Sequence, residues 1–241
     1  MRNSIFKILL ILLLSSSAIA ETVQIEAKKI TFDKNKEVSI FENDVKITTE
    51  DNTIITSDFL RYDKKIGLLQ LEKNVTAKDK QNNIIKTNKA EYDEINQVFK
   101  SYGNTSIETN EKYLIEGADI IFDKKKGSII SKNKTKIIDV DSNRIFLENF
   151  EYNNSNNIFK SIGLVLVNDN KGNSFEFSQV YIDSKKKEIL GTDSKSFLNQ
   201  EDFKLDKRNK PRIFSNSIEL KKDKRTFNKS VFTLCDYRKK D

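Results

Sequence analysis

Apolar and polar positions along the chain recur with a period of thirty residues. Phe32-Asp33, Tyr62-Asp63, Tyr92-Asp93, Phe122-Asp123, Tyr152-Asn153 and Ile182-Asp183 share one register, and two places before these bulky residues stand Ile30, Leu60, Ala90, Ile120, Phe150 and Val180. Further along each unit come Ile47, Ala77, Ile107, Ile137 and Val167, then Ile55, Ile85, Ile115, Ile145 and Phe175. The position between the first two columns varies freely: Thr31, Arg61, Glu91, Ile121, Glu151, Tyr181. Apolar residues at every second place are the period of a strand with one buried face. The Ile, Val, Thr, Phe and Tyr that fill the periodic pieces suit strands as well. Between them "DKNKE", "TEDNT", "DKQNN", "DKKKG" and "NNSNN" read as short polar turns. Each unit therefore holds two or more short strands, and successive units must stack because none can cover its own apolar face. With 7 Gly and 1 Pro the chain is poorly suited to a tight-cornered β-helix. The pattern predicts an all-β fold, an antiparallel layered sheet folded over as a β-jellyroll or taco.

Composition narrows what such a sheet can do. Arg2 and Lys7, the apolar run Ile8 to Leu14, and Ala18-Ile19-Ala20 form a secretory signal with its cleavage site, so residues 1–20 are expected to lie outside the fold and the rest to be exported. The repeats occupy 21–196, and 197–241 reads as an extension of them. His is absent, which removes Ser-His and Cys-His nucleophiles and the commonest zinc ligand. No Gly-rich phosphate loop is present, and no cofactor is expected. Cys235 stands alone, so it is either a free thiol or paired outside this chain. Residues 184–241 hold 17 Lys and Arg against 9 Asp and Glu, whereas 21–183 hold 24 against 27. That basic C-terminal quarter is either a solvated face or an attraction for anionic lipid headgroups and phosphorylated sugars. Nucleic acid is not expected as a partner. The column of Asp33, Asp63, Asp93, Asp123, Asn153 and Asp183 suggests a calcium ladder, but it lacks the dense spacing of calcium ligands. Asp and Asn at a strand end hydrogen-bond the turn that follows, which is the reading adopted. A glycosidase needs one privileged carboxylate pair, and no pair stands out. The chain reads as non-catalytic.

Two later pieces, "KPRIFSNSIEL" (210–220) and "VFTLCDYRKKD" (231–241), follow the repeats and resemble the N-terminal periplasmic region of the lipopolysaccharide-assembly family LptD. The repeats themselves resemble the OstA-type β-jellyroll units that this family shares with LptA and LptC, over essentially the whole chain from Glu21. The resemblance implies an open-seamed β-jellyroll that carries lipid A acyl chains in its apolar interior. It implies a periplasmic location at the outer membrane, with an LptA-like bridge protein, a membrane barrel and its plug lipoprotein as partners. The family's barrel would begin where this chain stops, and in the family the cysteine matching Cys235 pairs with one in the C-terminal part of that barrel. A stand-alone LptA-like bridge protein and a purely structural exported β-solenoid remain the alternatives. For the lipid groove the expected lining is Leu60, Tyr62, Ile85, Tyr92, Ile107, Ile115, Ile120, Phe122 and Ile145. For a partner's strand the expected edge is Val23, Ile25, Ile30 and Phe32.

Overall fold

The computed structural model describes residues 23–49, 52–110, 112–153, 155–183, 185, 186, 188–203, 211–221 and 224–234. The expected signal segment 1–20 and Cys235 lie outside the described residues. Among the described residues eighteen strands form one antiparallel sheet, and the helical content is a single 3-10 turn, Gln200–Phe203. The first seven strands are β1 (Gln24–Glu26), β2 (Lys29–Asp33), β3 (Val38–Thr48), β4 (Ile54–Asp63), β5 (Leu68–Lys78), β6 (Ile84–Asp93) and β7 (Val98–Glu108). The middle strands are shorter: β8 (Leu114–Ala118), β9 (Ile121–Asp123), β10 (Ser128–Ser131), β11 (Thr135–Ile138), β12 (Arg144–Leu147) and β13 (Phe150–Asn153). Long strands return with β14 (Ile158–Asn168), β15 (Ser174–Asp183), β16 (Glu188–Phe197), β17 (Arg212–Lys221) and β18 (Lys224–Thr233). The long strands pair with their neighbours in chain order as a meander. In the middle each bent strand is split in two: β8 and β9 both pair with β7, β11 pairs with β8 and β10 with β9, and β12 and β13 both pair with β14. Among the described residues β1 and β2, both on β3, form one edge and β18 the other.

The thirty-residue repeat is a pair of long strands, each bent at its middle. Register shifts fall between Glu42 and Val45, Thr56 and Phe59, Glu72 and Val75, and Ile162 and Val165. At the bends Asn43, Asp44, Lys73, Asn74, Gly103, Asp119, Gly163 and Asp193 take positive φ. Gly, Asn and Asp tolerate that conformation best, and a bulge built on it re-aims the strand. The inward phase slips accordingly: along β4 the buried positions run Ile55, Ser57, Leu60, a step of three at the bend.

The bent sheet then closes on itself. Ile47 and Leu69, inward on opposite sides of the bend, both have 0% exposure. A single sheet cannot hide its own face, and the described residues contain no second layer, so the two halves cover each other. The result is the folded-over jellyroll that the periodicity predicts. Where the chain bends it loses ladder hydrogen bonds, and inward hydroxyls replace them. Ser131 Oγ donates to Ala118 O at 3.1 Å, Ser161 Oγ donates to Asn149 O at 2.6 Å, and Ser101 Oγ accepts from Ile120 N at 2.9 Å. A buried main-chain group left unpaired would be costly, which accounts for Ser and Thr at the crease.

Turns are clamped on both lips of the fold. On one lip Asp33, Asp93, Asp123, Asn153 and Asp183 accept main-chain N–H groups two or three residues on. These residues end strands and order turns, as the polar column suggests. The other lip has its own column at thirty-residue spacing: Thr49, Asp79, Thr109, Asp139, Asp169. Asp139 Oδ1 accepts from Asp141 N and Asn143 N, both at 2.9 Å, and Asn143 Oδ1 accepts from Asn170 N of the next turn at 2.9 Å. Successive layers are thus tied together at the rim.

Candidate functional site

Each bent strand sends four residues inward, two near the crease and one near each lip. Near one lip these are Ile47, Ile55, Ala77, Ile85, Ile107, Ile115, Ile137, Ile145, Val167 and Phe175, paired successively across the ladders. Near the other run Tyr62, Leu69, Tyr92, Phe99, Phe122, Ile129, Tyr152, Phe159 and Ile182. Side chains that alternate along a strand and align between strands make these stripes continuous. All nine expected groove residues stand on this inner surface. Leu60 (0%), Ile120 (3%) and Ile107 (6%) are buried, whereas Tyr62, Ile85, Tyr92, Ile115, Phe122 and Ile145 are half-buried.

The crease behaves differently from the rims. In the first layers it carries Phe41, Val45, Leu60, Leu71 and Val75, all buried. In the middle it carries Thr87, Ser101, Thr105, Gly117, Ser131 and Thr135 beside the apolar Ala90, Ile120 and Phe150, and the strands there are broken into pairs. Apolar packing therefore divides into two clusters. The first, from Phe41 to Phe99, has 11 buried members and 7 partly buried ones. The second, from Ile137 to Ile218, has 7 buried and 10 partly buried. The first cluster is a closed core, and the second is open along its rim.

Polar groups are placed on the outside. Arg61 Nη1 donates to Gln70 Oε1, Gln70 Nε2 donates to Glu91 Oε1, each at 3.0 Å, and the Tyr102 hydroxyl donates to Glu91 Oε2 at 2.5 Å. The bonds from Tyr102 and Gln70 hold the Glu91 carboxyl below its ordinary range, and in return Glu91 pushes the Tyr102 phenol up to about 12. Tyr62 is likewise raised to about 12, first by burial and then by its 3.0 Å bond to Glu94. A depression of about 460 Å³ beside the second lip is lined by Asp93, Asn96, Val98, Lys100, Asp123, Lys125 and Lys126, whose Asp carboxylates serve the turns. Among the described residues no three carboxylates or cysteines gather to hold a metal ion.

Of the expected edge residues, Ile25 pairs with Ile47, Ile30 with Phe41 and Phe32 with Ser39, so all three continue the inner columns on the outermost strand. Val23 and Ile25 pack against the first cluster, while Ile30 (44%) and Phe32 (68%) are exposed because among the described residues no strand lies beyond them. The opposite edge, β18, lies in the segment 197–241 that the sequence marks as an extension of the repeats, without any edge residue being expected there. Its Phe227 and Phe232 pair with the inward Ile218 and Ile213, and Phe232 is 54% exposed. Residues 224–233 fall outside the repeat's aligned columns, which is why periodicity did not reveal them.

Comparison with known proteins gives a partial likeness. Residues 21–133 match the model of a family described as OstA-like protein, from the segment before β1 to the gap between β10 and β11. Among solved structures, one match is LptH of Pseudomonas aeruginosa, described as the LptA-homologous periplasmic component of the lipopolysaccharide transport device. It is 14% identical, covers 71% of this chain and 82% of that one, and has a TM-score of 0.20. The fold assignment accordingly rests on the strands and their pairing. No curated protein matches the chain.

Proposed function

We propose that the chain is a non-catalytic carrier of lipopolysaccharide in the periplasm, holding lipid A acyl chains against the inner face of the folded sheet. The observation that carries this reading is the pair of rim columns, which are apolar in every layer from β4 to β15 while the crease between them gains Ser and Thr in the middle layers. A chain of methylenes gains about 0.8 kcal/mol for each one buried. A stripe of equivalent positions offers similar sites in every layer, so movement along it meets no deep trap. The likeness of residues 21–133 to the OstA-like family supports the same reading. Docking to a bridge protein would use β1 and β2, where exposed main-chain groups and the exposed Ile30 and Phe32 suit addition of a partner's strand. Whether the chain serves as the periplasmic part of an LptD-type protein or as an LptA-like bridge is decided by what it joins.

Ile145 tests the reading because it is half-buried on the rim of the open cluster. Purified fluorescent lipopolysaccharide should bind the wild type, lose most of its affinity for Ile145→Asp, and bind Lys125→Asp normally. Circular dichroism on each variant separates lost binding from lost fold. Equal binding by a folded Ile145→Asp would count against the groove. A scaffold without ligand is the second reading, favoured by the first cluster, where Leu60, Leu69 and Leu71 have no exposure at all. On that reading lipopolysaccharide does not bind any variant.

A further inference from the structure

We infer that Ser196 is a polar contact within the open cluster for an alkyl chain that carries an oxygen, as a hydroxyl or an ester. This rests on the carrier reading and locates one binding position inside it. Inward hydroxyls at the crease have a structural task, since they satisfy main-chain groups freed by the bend. Ser196 lies away from the bend, with its main chain in the ladder between Phe175 and Ile213. Followed across the ladders, the same place on alternate earlier strands is Ile47, Ala77, Ile107, Ile137 and Val167, an aliphatic residue each time. Here it is serine, 1% exposed, with an Oγ that has no hydrogen-bond partner. A buried hydroxyl without a partner destabilises a fold, and alanine at the same place would not carry that cost. Neighbouring Ser194 differs, because its Oγ lies 2.5 Å from Ser215 Oγ. Phe175 and Ile213 on either side are only half-buried, so rotation of their side chains would admit a chain from the mouth to the hydroxyl. An oxygen on that chain would then meet a dry partner able to donate or accept.

The test compares stearate with a mid-chain hydroxystearate, each displacing a fluorescent fatty acid from the purified protein below its micelle concentration. The wild type should prefer the hydroxylated chain by about three- to tenfold, the worth of one neutral hydrogen bond. Ser196→Ala should bind both alike and unfold at the same or a higher temperature. A wild type that binds both chains equally overturns the Ser196 assignment and leaves the carrier reading standing. So does a preference that survives in Ser196→Ala, or a variant that melts earlier. Binding of neither chain overturns the carrier reading and Ser196 with it.

Discussion

Gly191 shows how closely single residues fit the inner face. A Cβ built there would stand 2.4 Å from Phe177 Cδ1 and 3.2 Å from Ile218 Cγ2, so the Phe177 ring occupies the place of the missing side chain. Gly191→Ala should destabilise the protein by about 1–3 kcal/mol through overpacking. Adding Phe177→Leu should cost less than the two single changes summed, measured by urea unfolding. The tyrosines provide a test by pH. Tyr62 and Tyr102 are raised to about 12 from an ordinary 10.0, so the folded state holds their protons more tightly than the unfolded chain. Their contribution to stability is full below the unfolded value and is lost as pH rises through the folded one. A phenolate absorbance titration should therefore place Tyr62 and Tyr102 among the late-ionising tyrosines, and Tyr62→Phe should remove one late step.

At the scale of strands and turns, the bent strand and its clamped turn form the working unit. Asp139→Ala would delete the acceptor of three hydrogen bonds, from Asp141 N, Asn143 N and Asn143 Nδ2. It should cost about 1–2 kcal/mol and speed amide exchange at Asp141 and Asn143. On the opposite lip Asp93 is lowered by its side-chain and main-chain bonds to Asn96, Asp123 by those to Lys126, and Asp183 by the Lys186 main chain. Each contributes above the ordinary carboxylate range and loses that contribution as pH falls through its depressed folded value. Replacing all three by Asn should flatten the acid limb of a stability profile. This row was legible as punctuation because Asp follows the bulky residue in nearly every unit. The second row was harder to read, since Thr49, Asp79 and Thr109 share a task without sharing a side chain. The crease was harder still. The step from Ser57 to Leu60 breaks period two inside a strand, and the bend residues range from Asn43 to Lys73 to Gly103. Burial across the fold depends on which halves meet, and local alternation carries no record of that.

For the whole molecule, the consequence of the polar crease is two apolar clusters on one sheet. Strands β3 to β6 enclose the first, whose central side chains have almost no exposure. Between β8 and β11 the ladder keeps three residue pairs, 114–116 with 136–138, against nine between β3 and β4. Amide exchange should be slowest in β3 to β6 and markedly faster in the gaps between β10 and β11 and between β12 and β13. Ile137 with Val167 and Ile145 with Phe175 were readable as two columns from sequence, but not as one wall of the more open cluster. The central claim is that this interior meets lipid. It is tested most directly by placing a photo-crosslinking amino acid at Ile115, Tyr92 or the exposed turn residue Lys125, then irradiating with purified lipopolysaccharide. Adducts at Ile115 and Tyr92 with little at Lys125 are the predicted result. Equal labelling at all three positions, or labelling at Lys125 alone, would contradict it.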